Sequence, residues 1–222
     1  GFDEKNEEHI IVSCGDNFDR GPKSFEMFVF LNEFPEHRKY LIKGNHEFLL
    51  EDLAERNQVT QADIVNGTAD TWKEFQIKLN DPDVKRVIGF TRNMLHFLEL
   101  PGHLFVHGFI PHTDYHNATP NNWKKATWID SSLLLKDLPN LNTVIVVGHK
   151  ATSNFHPYND MFIQMKTPKR CGLIAIDGTA VINKKINIFV LNEDGSYDNK
   201  KYMCMLKPVD LKNLNKLYTI EK

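Results

Sequence analysis

The chain has few cysteines, no long apolar run and no marked excess of charge, and each shortage excludes a class of protein. Its 222 residues include three cysteines, Cys14, Cys171 and Cys204, which are widely spaced and odd in number. This pattern does not suit a disulfide framework and favours a reducing compartment. No apolar stretch reaches the length of a membrane span and no secretory signal is visible, so the sequence predicts a cytoplasmic protein with no membrane partner.

Charge is nearly balanced, with a net value of −2 from 27 basic and 29 acidic residues. A surface that binds nucleic acid normally carries a clear excess of lysine and arginine, so no nucleic-acid partner is predicted. The hydrophobic content of 41% is enough to build a sizeable core, and the length suits one domain.

Two polar turns follow short apolar runs near the start of the chain. Residues 10–12 (IIV) lead into residues 15–21 (GDNFDRG), and residues 40–42 (YLI) lead into residues 44–47 (GNHE). A short β-branched or aromatic run that is closed by glycine predicts a buried strand ending in a tight turn. Both turns would then lie at the carboxyl ends of their strands, where open α/β sheets usually bind ligands.

Helical patterns connect and follow these strands. Residues 24–34 carry apolar side chains at helical spacing and end before Pro35, which predicts a β-α-β unit with a parallel strand pair. Residues 48–57 are predicted to be a helix, and residues 60–100 a mostly helical cap or insert over the edge of the sheet. The candidate core residues of this insert are Trp72, Phe75, Ile77, Leu79, Val87, Ile88, Phe90, Met94, Leu95 and Phe97.

The second half of the chain is rich in predicted strands. They are residues 104–106, 143–147, 173–176, 186–191 and 202–206. The last two flank a hairpin-type turn with the sequence NEDG. Two sheets packed face to face, with helices outside, would accommodate both halves of the chain. The predicted fold class is therefore α/β, a two-sheet β-sandwich flanked by helices.

Four predicted strand ends present a possible metal ligand beside or near a glycine. These ligands are Asp16, Asn45, His107 and His149. Carboxylate and imidazole are standard ligands of first-row divalent metals, and an amide oxygen is a weaker one. Taken singly, an aspartate after a strand is usually a turn former, and a histidine usually has no ligand role. The repetition of one layout four times favours a shared metal site.

In four successive motifs the sequence resembles the calcineurin-like metallophosphoesterases. The motifs are residues 15–21 (GDNFDRG), 44–47 (GNHE), 106–108 (VHG) and 148–149 (GH). The nearest branch in pattern is that of the phage and bacterial Ser/Thr protein phosphatases, with the symmetrical diadenosine tetraphosphatases as close relatives. The resemblance implies a four-layer αββα fold within a single domain over residues 1–222.

The resemblance also implies a metal centre. Asp16 would bridge two divalent metal ions, and Asn45, His107 and His149 would complete the site of the second ion. Manganese is the favoured metal, with iron, zinc or nickel as alternatives, because mixed oxygen and nitrogen ligands admit all four.

Three further roles are implied at the substrate. Arg20 would bind the non-bridging phosphate oxygens with its planar fork, and Asn45 would also contact the phosphate. His46, paired with Asp19, would protonate the leaving oxygen. Outside this motif, Arg20 would be interpreted as a surface group and the pair of Asp19 with His46 as a structural ion pair.

The sequence departs from the family pattern in two places. The family takes an Asp-x-His motif upstream of the first turn, and no such motif precedes Asp16. Because the chain opens with GFDEK rather than methionine, we expect that the first strand and helix of the domain are missing from it. Asp130 is the second departure, since related phosphatases often carry a phosphate-binding arginine there.

The favoured function is that of a dinuclear metal-dependent phosphatase. It would hydrolyse phosphomonoesters, with phosphoserine or phosphothreonine in proteins favoured over a phosphorylated small molecule, by in-line attack of a metal-bound hydroxide. One alternative is a hydrolase of diadenosine tetraphosphate or another nucleotide, because the motifs do not determine the leaving group. The other alternative is a metal-binding scaffold with little turnover.

Overall fold

The computed structural model describes residues 3–158, 160–197 and 202–205. The predicted β-α-β unit is confirmed: β1 (Ile11–Ser13) leads through α1 (Ser24–Glu33) to β2 (Lys39–Leu41), and the two strands pair in parallel. The helix ends at Glu33, and Phe34 is extended because Pro35 follows it. The turns after β1 and β2 therefore lie at the same end of the pair.

Four helices follow β2. They are α2 (Asn45–Arg56), α3 (Gln61–Asn66), α4 (Thr68–Lys78) and α5 (Asp81–Arg92). The predicted start of α2 at residue 48 is wrong, because the helix begins at residue 45. Asn45 and His46 consequently lie in the first turn of a helix, where their backbone positions are more rigid than in a loop.

Most of the predicted core of the 60–100 segment packs against α1, α2 and β2, and Phe97 packs with Tyr115 and Trp123 beside α6, but two residues are exposed. The side chain of Ile77 is 73% exposed and that of Leu95 is 39% exposed. The buried face of α4 is formed by Thr68, Thr71 and Phe75, so a residue two positions beyond Phe75 points outward. Leu95 contributes its backbone instead, accepting from the Lys43 N–H at 2.7 Å.

A five-stranded sheet forms the centre of the molecule. Its spatial order is β3 (Leu98–Leu100), β4 (His103–Val106), β5 (Val144–Val147), β7 (Gly172–Ala175) and β6 (Phe162–Gln164). The three central strands are parallel and the two edge strands antiparallel. The edge strands were not predicted, since three residues are too few to show a clear alternation. The carboxyl ends of β4 and β5 lie at one edge of this sheet.

The two faces of the central sheet cover different layers. Phe105, Val146 and Ile174 pack with Cys14 and Ile42, which adjoin β1 and β2. The opposite face packs against α6 (Pro120–Ala126) and the loops beside it. On its far side the β1–β2 pair contacts α1, α2, α4 and α5. The order helices, strand pair, five-stranded sheet, helix is the predicted four-layer α/β arrangement.

The last described elements are α7 (Ala180–Asn183), β8 (Lys185–Ile188) and β9 (Tyr202–Met205), and the two strands pair antiparallel. β8 is shorter than the predicted strand over residues 186–191, and Leu206 of the other predicted strand lies outside the described residues. Among the helices that the structure describes, none combines the length and the apolar content needed to cross a bilayer.

Candidate active site

The turn after β1 is packed so closely against the other strand ends that glycine is required in it. Gly15 has φ of +92°, and a Cβ atom there would lie 2.6 Å from Nδ1 of His107 and 2.7 Å from the Gly44 nitrogen. Asp16 and Arg20 also have positive φ, at 59° and 66°. Non-glycine residues adopt this conformation at a cost, so the surrounding contacts must hold the turn in place.

Asp16, His107 and His149 present ligand atoms that all lie within 4.8 Å of one another. Nε2 of His107 is 3.3 Å from Oδ2 of Asp16 and 2.9 Å from Oδ1 of Asn45. The structure thus brings together the four predicted ligands, which come from the ends of β1, β2, β4 and β5.

The donor atoms fit a divalent cation. Nδ1 of His107 donates to the Cys14 carbonyl oxygen at 2.5 Å, which directs Nε2 toward Asp16 and Asn45. A carboxylate oxygen, an amide oxygen and an imidazole nitrogen all accept hydrogen bonds, and their convergence is favourable only around a positive charge. One carboxylate, two imidazoles and one amide form a ligand set that suits first-row metals.

The two histidines of this cluster have opposite electrostatic surroundings. Burial disfavours the charged form of His107, but the carboxylate of Asp16 outweighs that effect, so the pKa of His107 is raised. Burial and the neighbouring charge of His107 lower the pKa of His149 from 6.5 to about 4. Burial opposes ionisation of Asp16 as well, yet His107 and His46 hold its pKa well below the ordinary range. His149 is therefore neutral at physiological pH, the form that binds metals.

A second pair of side chains adjoins the cluster. Nδ1 of His46 is 2.7 Å from Oδ2 of Asp19, and the two side chains are only 5% and 3% exposed. Nε2 of His46 points the other way, 3.9 Å from Oδ2 of Asp16. The first turn of α2 thus places an imidazole beside the ligand cluster, with its far nitrogen bonded to a buried carboxylate.

Arg20 lies against the helical segment. Its Nε and Nη2 atoms donate to the backbone oxygen and to Oδ1 of Asn66, both at 3.2 Å. The side chain is exposed. The hydrogen bonds of Arg20 are therefore made with the end of α3 and not with the ligand cluster.

Glu47 has an organising role that was not predicted from the sequence. Its Oε2 accepts from the N–H groups of Asp16 and Gly44, at 2.9 and 2.8 Å. Its Oε1 accepts from the N–H and the side-chain amide of Asn17, at 2.7 and 3.0 Å. One buried carboxylate thus joins the two turns. The available signal was its place in the third position of α2, where glutamate often bonds back to the residue before the helix.

Asp130, the second departure from the family pattern, is paired with a lysine. Its Oδ2 lies 2.7 Å from Nζ of Lys150, which directly follows His149. The loop between β4 and β5 also places the half-exposed Trp128 near the cluster, with ring centroids of Trp128 and His149 6.1 Å apart. Lys124 is paired with Asp52, with Nζ 2.6 Å from Oδ1.

Comparison with known proteins gives a family and a fold. The family model for the calcineurin-like phosphoesterases matches residues 2–170. A solved structure described as a "putative diadenosine tetraphosphatase" is similar with a TM-score of 0.50 and 16% identity, over 80% of this chain and 74% of that one. A metallophosphoesterase from Sphaerobacter thermophilus has a TM-score of 0.50 and 15% identity, over 84% and 73%. At such identities the two likenesses concern the fold alone. No curated protein sequence matches.

Proposed function

The chain belongs to the calcineurin-like phosphoesterases, and on that premise we propose that it is a metal-dependent phosphatase that hydrolyses phosphomonoesters. Phosphoserine or phosphothreonine in a protein is the favoured substrate. The observation that carries this proposal is the buried pair of His46 and Asp19 beside the ligand cluster. A site that only stored or sensed a metal would have no use for a positioned proton donor, whereas ester hydrolysis needs one for its leaving group.

In this proposal the metal centre is held by the ligand cluster described above. Asp16, Asn45, His107 and His149 would hold one divalent ion, and Asp16 would be shared with a second. Two such ions, with Mn²⁺ favoured over iron, zinc or nickel, would supply positive charge to the phosphoryl oxygens and lower the pKa of a water molecule.

The remaining steps belong to the protein's own side chains. Arg20 would bind the non-bridging oxygens of the phosphate through its guanidinium fork. As the water oxygen bonds to phosphorus, the ester P–O bond breaks and its electron pair leaves on the ester oxygen. His46 would give its Nε2 proton to that oxygen, while its Nδ1 proton stays hydrogen-bonded to Asp19. The products are an alcohol and inorganic phosphate.

A second candidate is hydrolysis of diadenosine tetraphosphate or another nucleotide. The observation that favours it is the half-exposed Trp128 ring near His149, because an aromatic face at the rim of a phosphate site can stack on a base. Trp128→Ala would distinguish the two candidates. It should raise the KM for diadenosine tetraphosphate if the base stacks there, and leave the KM for a phosphoserine peptide unchanged.

The test of the proposed function compares wild-type protein, His46→Asn and His37→Asn in the presence of Mn²⁺. His37 is an exposed histidine at the opposite end of β2 and serves as the matched control. With a phosphoserine peptide, His46→Asn should lose about 10²- to 10⁴-fold in kcat, the contribution usual for general acid catalysis. His37→Asn should behave like wild type.

Two results would contradict the proposal. Equal rates for wild type and His46→Asn would exclude His46 as the acid. A metal-loaded wild type that hydrolyses neither p-nitrophenyl phosphate, the phosphopeptide nor diadenosine tetraphosphate would favour the scaffold alternative.

A further inference from the structure

The short turn between α3 and α4 contacts Arg20, which would bind the phosphate, and Asp19, the partner of His46. Asn66 accepts two hydrogen bonds from Arg20, through its backbone oxygen and its Oδ1. The hydroxyl of Thr68 donates to Oδ2 of Asp19. These contacts join residues 46 and 49 positions apart in the chain, so only the packing of the helical segment brings them together.

The contact of Thr68 matters because Asp19 has few other restraints. Oδ2 of Asp19 accepts from both His46 and Thr68, while Oδ1 is buried with no hydrogen-bond partner among the described residues. Without the hydroxyl, only His46 itself would hold the carboxylate. Since Asp19 orients the imidazole, a carboxylate that can rotate leaves the Nε2 proton less well directed.

The contact of Thr68 is not an ordinary helix cap. Thr68 is the first residue of α4 and is fully buried, but its hydroxyl bonds to Asp19 and not to a backbone group of its own helix. Thr71, one turn later on the same face, is equally buried and bonds to the backbone oxygen of Phe18. Thr71 therefore anchors the helix to the loop, whereas Thr68 touches the acid pair.

Asn66 positions Arg20 in a similar way. The side chain of Arg20 is exposed, and the backbone of Arg20 itself has a positive φ. Neither burial nor a relaxed backbone therefore holds the guanidinium in place. The backbone oxygen and Oδ1 of Asn66 accept hydrogen bonds from Nε and Nη2. The Nη1 side of the guanidinium stays available to an anion. Gly67 allows this approach, because a Cβ there would lie 3.0 Å from Cγ of Arg20.

We propose that the α3–α4 turn, Asn66 to Thr68, is a positioning element of the active site, in which Asn66 orients the phosphate-binding Arg20 and Thr68 orients the Asp19–His46 acid pair. The inference rests on the proposed phosphatase function and adds to it that the helical segment is part of the catalytic apparatus. Asn66 acts through Arg20, so its loss should weaken phosphate binding. Thr68 acts through Asp19 and His46, so its loss should weaken protonation of the leaving group.

The experiment measures kcat and KM of Thr68→Val, Thr68→Ser, Thr71→Val and Asn66→Ala with two esters and Mn²⁺. p-Nitrophenyl phosphate has a leaving group that is stable as an anion and needs little protonation, whereas phosphoserine peptide releases an alkoxide that needs a proton. The ratio of the two rates within one sample does not depend on how much of the protein is folded. It therefore reports on the acid even if a variant is less stable.

Thr68→Val should lose roughly 10- to 100-fold in kcat on the phosphopeptide and much less on p-nitrophenyl phosphate, as expected when a catalytic group is misplaced. Thr68→Ser, which keeps the hydroxyl, should have the wild-type ratio of the two rates. Thr71→Val should also have the wild-type ratio. Asn66→Ala should raise KM by about 3- to 10-fold for both esters, in line with one lost hydrogen bond, and leave the ratio unchanged.

The outcomes separate this inference from the function on which it rests. If the wild-type protein turns over the esters and Thr68→Val leaves the rate ratio unchanged, the inference is overturned and the phosphatase function stands. The same holds if Thr71→Val changes the ratio as much as Thr68→Val does. An unchanged KM in Asn66→Ala would overturn the assignment of Asn66. Wild-type protein that turns over neither ester would overturn both the function and the inference.

Discussion

The strand side of the candidate site and its helical side are held in place by different means. On the strand side, Asp16 and Asn45 follow paired strands, and the buried carboxylate of Glu47 accepts four hydrogen bonds from the two turns. On the helical side, exposed Arg20 depends on the single residue Asn66. Strand pairing and one buried carboxylate fix the first group, while the backbone oxygen and side chain of one residue in a distant helix fix the second.

The difference fits the role that we propose for each side. Ligands that carry charge must be held at fixed spacing before a metal arrives, because converging acceptors repel one another without it. A side chain that contacts a substrate must stay accessible, and it can be restrained only from its flank. Changes on the strand side should therefore affect metal binding and stability, and changes on the helical side should affect substrate handling.

The largest effect is expected at the ligand cluster. His107→Asn should weaken binding of Mn²⁺ by more than about 100-fold and reduce phosphatase activity to background, because even outer partners of metal ligands contribute 10- to 100-fold. Metal content by mass spectrometry and titration calorimetry would measure it. His103→Asn, a buried histidine at the other end of the same strand, is the matched control and should retain its metal. Equal metal affinity in the two variants would remove His107 from the ligand set.

The next largest effect is expected on stability, when one glycine on the strand side and one in the helical segment are each replaced by alanine. Gly44→Ala would place a Cβ against Oδ1 of Asp16 and 2.7 Å from its backbone nitrogen, which should lower the free energy of unfolding by about 3 kcal/mol. Gly89 lies within α5 with open space around its Cα. Gly89→Ala should instead stabilise the protein by about 0.5 to 1 kcal/mol through reduced chain entropy. Urea unfolding without metal measures both, and destabilisation by Gly89→Ala would contradict the packing described for α5.

A third comparison concerns the carboxylate that joins the two turns. In Glu47→Gln one amide nitrogen would face two hydrogen-bond donors, so the free energy of unfolding should fall by about 2 kcal/mol. Glu55→Gln should change it by less than about 0.5 kcal/mol, because the pair of Glu55 with Arg92 is exposed to solvent. Denaturant midpoints of the metal-free proteins give both values. Similar midpoints for the two variants would show that Glu47 does not join the turns.

The smallest effect is the pH dependence of the metal-free protein. The lowered pKa of His149, about 4 against 6.5, means that the unfolded chain binds a proton between these values and the native protein does not. Stability should therefore rise with pH from about 4 to about 6.5, and His149→Asn should flatten that rise, by less than about 1 kcal/mol because the group is partly solvated. The raised pKa of His107 acts oppositely: its contribution is complete below 6.5 and is lost as pH rises through the higher folded value. Thermal unfolding of wild type and His149→Asn between pH 4 and 6.5 checks the sign for His149, and a steeper rise in the variant would contradict it.

Part of the fold could be predicted because its signals are local. The β-α-β unit follows from two apolar runs, a helical pattern and Pro35, all within 33 consecutive residues. The edge strands β3 and β6 could not be predicted, since each has three residues and is specified by its neighbour in the sheet. Ile77 was assigned to the core because it is apolar, but the orientation of α4 is set by Phe75 and leaves Ile77 in solvent.

The local pattern of the chain was sufficient to predict which side chains converge, because glycine-bounded turns follow the four strands whose carboxyl ends carry Asp16, Asn45, His107 and His149. The way in which the rest of the site is supported depends on the packing of distant segments. The contacts of Asn66 and Thr68 with the first turn span more than forty residues and depend on how the helices pack on the strand pair. Hydrogen bonds of that kind leave no periodic pattern in a sequence, because each requires only one polar atom at one place.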